Sequence, residues 1–165
     1  MDLGVVSDVH AQSFGEPGQR TFRLLTEIDD GSMSLWLEKE QVVMMGSAME
    51  EILSRVPPPL GDGPVPSGPP TFRGEMEVRV GSLSIGYDLE HTAFSIEAGD
   101  LESSLGLDSV VLFAGRDVLA HLVEEISDIV AAGRPRCPLC GTPLSSEPHF
   151  CPRSNGHAHV EGRTE

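Results

Sequence analysis

No run in this chain approaches the roughly 20 apolar residues that a membrane-spanning helix needs, so no such span is expected. Basic residues are scarce. Lysine occurs once, as Lys39, and arginine ten times, against 26 acids, for a formal charge of −15. The shortage is uneven: residues 1–133 hold 23 acids and 7 bases, whereas residues 134–165 hold 3 acids and 4 arginines. A body this acidic repels phosphate backbones, which leaves nucleic acid an unfavoured partner. No Gly-Lys-Ser/Thr phosphate loop, dinucleotide fingerprint or His-Glu-x-x-His motif is present. Ser82 and Ser84 do not make the Gly-x-Ser-x-Gly elbow of hydrolases. These absences lean against an enzyme. The opening Met1-Asp2-Leu3-Gly4 lacks the basic flank and apolar run of a signal peptide, so the reducing cytoplasm is the expected compartment. Cysteine is nearly missing too, and three cysteines cannot pair off into disulfides.

What is there gathers at the end of the chain. Cys137-Pro-Leu-Cys140-Gly is followed by His149-Phe-Cys151-Pro and then by His157 and His159. Three thiolates and one imidazole complete a tetrahedral shell for a structural zinc. The two-residue spacing of Cys137 and Cys140 brackets a tight turn whose N–H groups can face the thiolates. Phe150-Cys151-Pro152 resembles a second such turn without its fourth cysteine. His157 is the favoured fourth ligand, since it can swing back across Ser154-Asn155-Gly156. His149 is the alternative, and His159 a third choice nearer the frayed end. Zinc with three thiolates carries −1, which Arg134, Arg136 and Arg153 are placed to offset. A catalytic zinc fits poorly, because the one His-x-Glu, at His159 and Glu161, follows the cysteines instead of preceding them.

The body reads as α+β, an antiparallel sheet with two helices from a repeated strand-strand-helix unit. Apolar residues make up 39% of the chain, and 18 glycines bring the total to the usual globular share, enough to bury a core. Thr21–Ile28 alternates with Phe22, Leu24, Thr26 and Ile28 on one face. Asp29-Asp30-Gly31 signals a hairpin, and Met33, Leu35 and Leu37 line the next strand. Val42, Met45, Met49, Ile52 and Val56 then step by three and four, predicting a helix from Lys39 to Arg55. Val56–Pro70 holds seven of the thirteen prolines and reads as a surface linker. Beyond it, Met76–Val80, Leu83–Ile85, Phe94–Ile96 and Val110–Phe113 read as strands. The second helix spans Arg116 to Ala132, stopped by Gly133 and Pro135. Laying Leu35–Leu53 over Val111–Ile129 sets Val42 on Val118. The domain plan is therefore a body, 1–133, interrupted by the linker at 56–70, and a zinc-knuckle tail, 134–160.

Other candidates have plain readings. Glu16 and Arg20 flank a Gly-Pro turn, and could present a charged pair to a ligand lying between the two halves. Asp8 and His10 hint at a metal pair but stand near the terminus. His121 and Glu125 are one helical turn apart, as surface pairs often are.

Gly15-Glu16-Pro17-Gly18-Gln19-Arg20-Thr21-Phe22, Leu37-Glu38-Lys39-Glu40-Gln41 and Ala131–Gly141 carry a resemblance. With the Cys-Pro-Leu-Cys-Gly…His-x-Cys-Pro-Arg-x-Asn-Gly-His ending, they resemble a family of actinobacterial proteins of unknown function, over nearly the whole length. The resemblance implies a bacterial cytoplasmic protein, gives weight to both His149 and His157, and supplies no catalytic residue. Departures are the proline-rich linker and Arg23, where an aromatic or apolar residue is expected. The leading reading is a non-enzymatic, zinc-stabilised binding or adaptor protein with a protein partner. The alternatives are an enzyme with a site near Glu16 and Arg20, and a weak nucleic-acid contact through the tail arginines.

Overall fold

The computed structural model describes residues 1–16, 19–28, 31–58, 74–101, 109–132, 137–142, 144, 149–153 and 159–160. Its elements in chain order are β1 (Asp2–Val6), β2 (His10–Phe14), β3 (Thr21–Ile28), β4 (Gly31–Leu37), α1 (Lys39–Arg55), β5 (Gly74–Asp88), β6 (Ala93–Asp100), β7 (Ser109–Ala114), α2 (Arg116–Ala131), β8 (His149–Phe150) and β9 (His159–Val160). Alternation predicts the buried faces well. Phe22, Leu24 and Thr26 of β3 and Met33, Leu35 and Leu37 of β4 all point into the core. In the helices, Val42, Met45 and Met49 of α1 and Leu119, Leu122 and Ile126 of α2 are buried. No described helix is long and apolar enough to cross a membrane.

The sheet is mixed, not antiparallel as expected. Its seven strands run β1-β7-β6-β5-β4-β3-β2, and both β4–β5 and β1–β7 are parallel. A crossover explains the first parallel pair: α1 carries the chain back, so that Gly74 starts β5 beside Gly31, the start of β4. The expected pair Met76–Val80 and Leu83–Ile85 is one long strand. β5 changes partners near a register shift between Val80 and Ser82, pairing with β4 up to Arg79 and with β6 from Val80 on. β1 and β2 occupy the two ends of the sheet, yet only residues 7–9 join them. Four Cα steps span about 14 Å at most, so the sheet curls to bring its two ends near each other. There the Thr26 hydroxyl donates to the Asp8 carbonyl at 2.8 Å. The linker from residue 59 to 70 and the Asp29-Asp30 turn lie outside the described residues.

Buried cross-strand pairs line both parts of the sheet. Phe22–Leu37, Leu24–Leu35 and Thr26–Met33 are fully buried pairs of β3 and β4. Phe94–Ala114, Ile96–Leu112 and Ala98–Val110 are fully buried pairs of β6 and β7. Each helix also receives an arginine at its C-terminal end, where carbonyls lack partners. Arg116 donates to the carbonyls of Leu53 (3.1 Å) and Val56, and Arg20 to that of Ile129 (3.5 Å). Arg23, the unexpected cation, lies on the outer face of β3. Its guanidinium sits 5.0 Å from the Phe14 ring centre and 5.4 Å from that of Trp36.

The helices cross at a glycine. A Cβ on Gly46 would stand 2.9 Å from Cγ2 of Ile126, a β-branched side chain held in the core. Gly46→Val is therefore expected to cost about 1–3 kcal/mol by forcing α1 from α2, measurable as a lowered urea midpoint. An unchanged midpoint would show that the helix contact is loose.

A candidate metal centre in the C-terminal tail

The tail has its own small core of Cys137, Leu144 and Cys151, with Cys140 packed against it. Its first turn is built as the Cys-x-x-Cys spacing requires. The Gly141 N–H donates to the Cys137 carbonyl (2.8 Å), and the Cys137 N–H to the Thr142 carbonyl (2.9 Å). Gly141 has φ +76°, a left-handed conformation that disfavours a Cβ and closes the turn. Arg153 donates to the carbonyl of Leu139 at 3.3 Å and so holds the turn to the segment that carries Cys151. β8 and β9 pair antiparallel, His149 with Val160 and Phe150 with His159.

These turns bring four donors together. Cys137, Cys140, His149 and Cys151 place their ligand atoms within 4.8 Å of one another, and this set could hold a metal ion. The Cys137 and Cys151 sulfurs are 3.7 Å apart and unbonded, and Cys140 Sγ lies 3.1 Å from His149 Nε2. Hydrogen bonding with the Thr142 hydroxyl and then its backbone pulls the Cys140 thiol down to about 6. Burial pushes the Cys151 thiol up instead. His149, the alternative fourth ligand, thus sits with the three cysteines. His157, the favoured one, lies outside the described residues, as do Arg134 and Arg136.

Glu16 and Arg20 serve structure where they are visible. Glu16 is exposed, and its carbonyl accepts the Gln19 N–H at 3.0 Å. Arg20 lines a cleft of about 400 Å³ with Phe22, Lys39 and Ile129, and its Nε is buried without a partner among the described residues. The Arg116 Nε is in the same state, and both arginines cap a helix. The orphaned Nε therefore accompanies capping and does not single out a ligand. A second cleft, about 420 Å³, lies between Trp36, Glu38 and Gln41 on one side and Glu77 and Arg79 on the other.

No curated protein and no solved structure matches the chain. The sequence model of one family, described as a protein of unknown function (DUF3090), matches residues 2–151 and so takes in Cys137, Cys140, His149 and Cys151 but not His157, and the chain belongs to this family.

Proposed function

We propose that this protein is a zinc-stabilised binding module whose metal-held tail presents an apolar contact to a protein partner. The observation that carries this reading is the closed set of Cys137, Cys140, His149 and Cys151, flanked by two exposed apolar side chains, Leu139 (47% exposed) and Phe150 (74%). Zinc suits the donors. Zn–S bonds of about 2.3 Å give a tetrahedral edge of about 3.8 Å, against 3.7 Å between Cys137 and Cys151. The Cys140–His149 separation of 3.1 Å is about half an ångström inside the corresponding sulfur–nitrogen edge, a small side-chain adjustment. Four protein ligands leave no place for substrate, so the metal's role here is to fold the tail. Free cysteines fit a reducing cytoplasm.

Leu139 sits in the turn between Cys137 and Cys140, and Phe150 between His149 and Cys151. Neither donates to the metal, so both can change without emptying the site. Leu139→Ser with Phe150→Ser should keep one zinc per chain yet strongly reduce the proteins captured from a lysate of the native host. Capture that does not change would sink the proposed contact surface.

We further read the body as one unit used twice, each a run of short strands followed by a helix. The matched buried pairs, with Val42 on Leu119 and Met49 on Ile126, support this. The pairing of β1 with β7 and of β4 with the first part of β5 then joins each half to the other. On this reading neither half would complete its sheet alone.

A further inference from the structure

Away from the tail, β2 and α2 bring three chemically capable side chains to one point. His10 opens β2, an end strand of the sheet, and His121 and Glu125 stand one turn apart on α2. Glu125 is fixed first. One of its oxygens accepts the Ala11 N–H at 2.7 Å, filling a donor on an edge strand that would otherwise face outward. The other oxygen lies 3.0 Å from His10 Nδ1 and 3.4 Å from His121 Nε2. Two imidazoles converge on one carboxylate oxygen, their rings at 89° with centroids 6.3 Å apart. An ion pair needs only one of them.

The spacing suits a metal ion. Bonds of 2.0–2.1 Å to nitrogen and oxygen place tetrahedral ligands about 3.4 Å apart, close to both separations here. The second oxygen of Glu125, held by a backbone amide, supplies the outer hydrogen bond that orients a ligating carboxylate.

On the reading that the body is one unit used twice, its other half does without these residues. Burial sets Met49 on Ile126 and Val42 on Leu119, so Met44 and Ala48 stand where His121 and Glu125 do. Ser84, paired with Glu97, stands where His10 pairs with Leu25. That corner is an apolar groove lined by Met44, Met45, Ala48, Leu83 and Ile85. Packing a helix beside a strand edge is thus achieved without histidine or glutamate, and the trio needs another reason.

We propose that His10, His121 and Glu125 form a second metal site, which takes zinc or a similar divalent ion through two imidazoles and one carboxylate. His10 and His121 are 47% and 60% exposed, which leaves coordination positions open to water or to an oxygen anion. Two histidines and a glutamate with an open position form a ligand set used for catalytic zinc, in contrast to the closed set in the tail.

The test separates this site from the tail by titrating zinc into full-length Cys137→Ser/Cys151→Ser protein. One ion is expected to bind with release of heat, and His10→Ala or His121→Ala in that background should weaken it by at least about tenfold. Both imidazoles are largely exposed, so their removal leaves the core untouched, and circular dichroism checks this. Glu125→Gln, which keeps the size of the side chain beside Ala11, should weaken binding likewise. No binding by the double-serine protein, or binding that neither histidine variant alters, overturns the proposal. Neither result bears on the zinc of the tail.

Discussion

Cys137→Ser is expected to empty the tail of metal and unfold it while the body keeps its own transition. Cys137 is buried, with its sulfur 3.7 Å from that of Cys151, and its N–H and carbonyl close the turn that positions Cys140. Among the described residues the tail core gathers Cys137, Leu144 and Cys151 with Cys140 packed against them, little apolar surface for a segment to fold alone. On the proposed reading, metal binding would supply nearly all of the folding energy there, on the order of 10 kcal/mol in apparent terms at neutral pH. Elemental analysis should find about one zinc per chain lost from the tail, and amide resonances of residues 137–153 should collapse to random-coil positions. Among the described residues the body shares no buried residue with the tail core, so its denaturant midpoint should stay put. His149→Ala should mimic Cys137→Ser if His149 is the fourth ligand, whereas His157→Ala should then retain the ion. A tail that stays folded in Cys137→Ser would remove zinc from the account.

Much of the body was legible because periodicity is a local signal. The faces of β3, β4 and α1 follow from alternation and from steps of three and four, and α2 ends within a residue of the expected place. The missed strands lacked that signal. In β1, Leu3, Gly4, Val5 and Val6 do not alternate, and the strand gains its place from the parallel partner β7, more than a hundred residues away. The direction of β5 was equally hidden. Nothing in residues 74–88 records that its first part lies beside β4, because that follows from the crossover through α1.

The tail cluster was legible for the same reason: Cys137, Cys140, His149 and Cys151 are close in sequence, so spacing alone suggests that they can meet. Spacing ranked His157 above His149 by counting residues available for a loop. β8 sets His149 against β9 with its Nε2 beside Cys140, while His157 lies outside the described residues. The second cluster was half visible, as the one-turn step from His121 to Glu125. Its third member, His10, lies 115 residues from Glu125 and meets it only because α2 packs along the edge of β2. No spacing rule reaches that far.

Phe94→Ala is expected to cost the body about 3–5 kcal/mol. Phe94 is 2% exposed, pairs with Ala114 across β6 and β7, and meets the edge of the Tyr87 ring with centroids 5.1 Å apart. Its ring also lies 5.6 Å from the guanidinium of Arg116, which reaches on to cap the end of α1. Truncation thus opens a cavity and removes the surface on which that cap rests. For a domain of this size the loss should lower Tm by roughly 6–20 °C. Phe94→Leu restores most of the volume and should cost less than about 1.5 kcal/mol if packing dominates. A much larger cost for leucine would assign the energy to the aromatic contacts instead. Phe150 supplies the control, since the same amino acid at 74% exposure should change stability by no more than about 0.5 kcal/mol on becoming alanine. Equal losses at the two positions would mean that Phe150 is covered in solution, and by a surface that belongs to this chain.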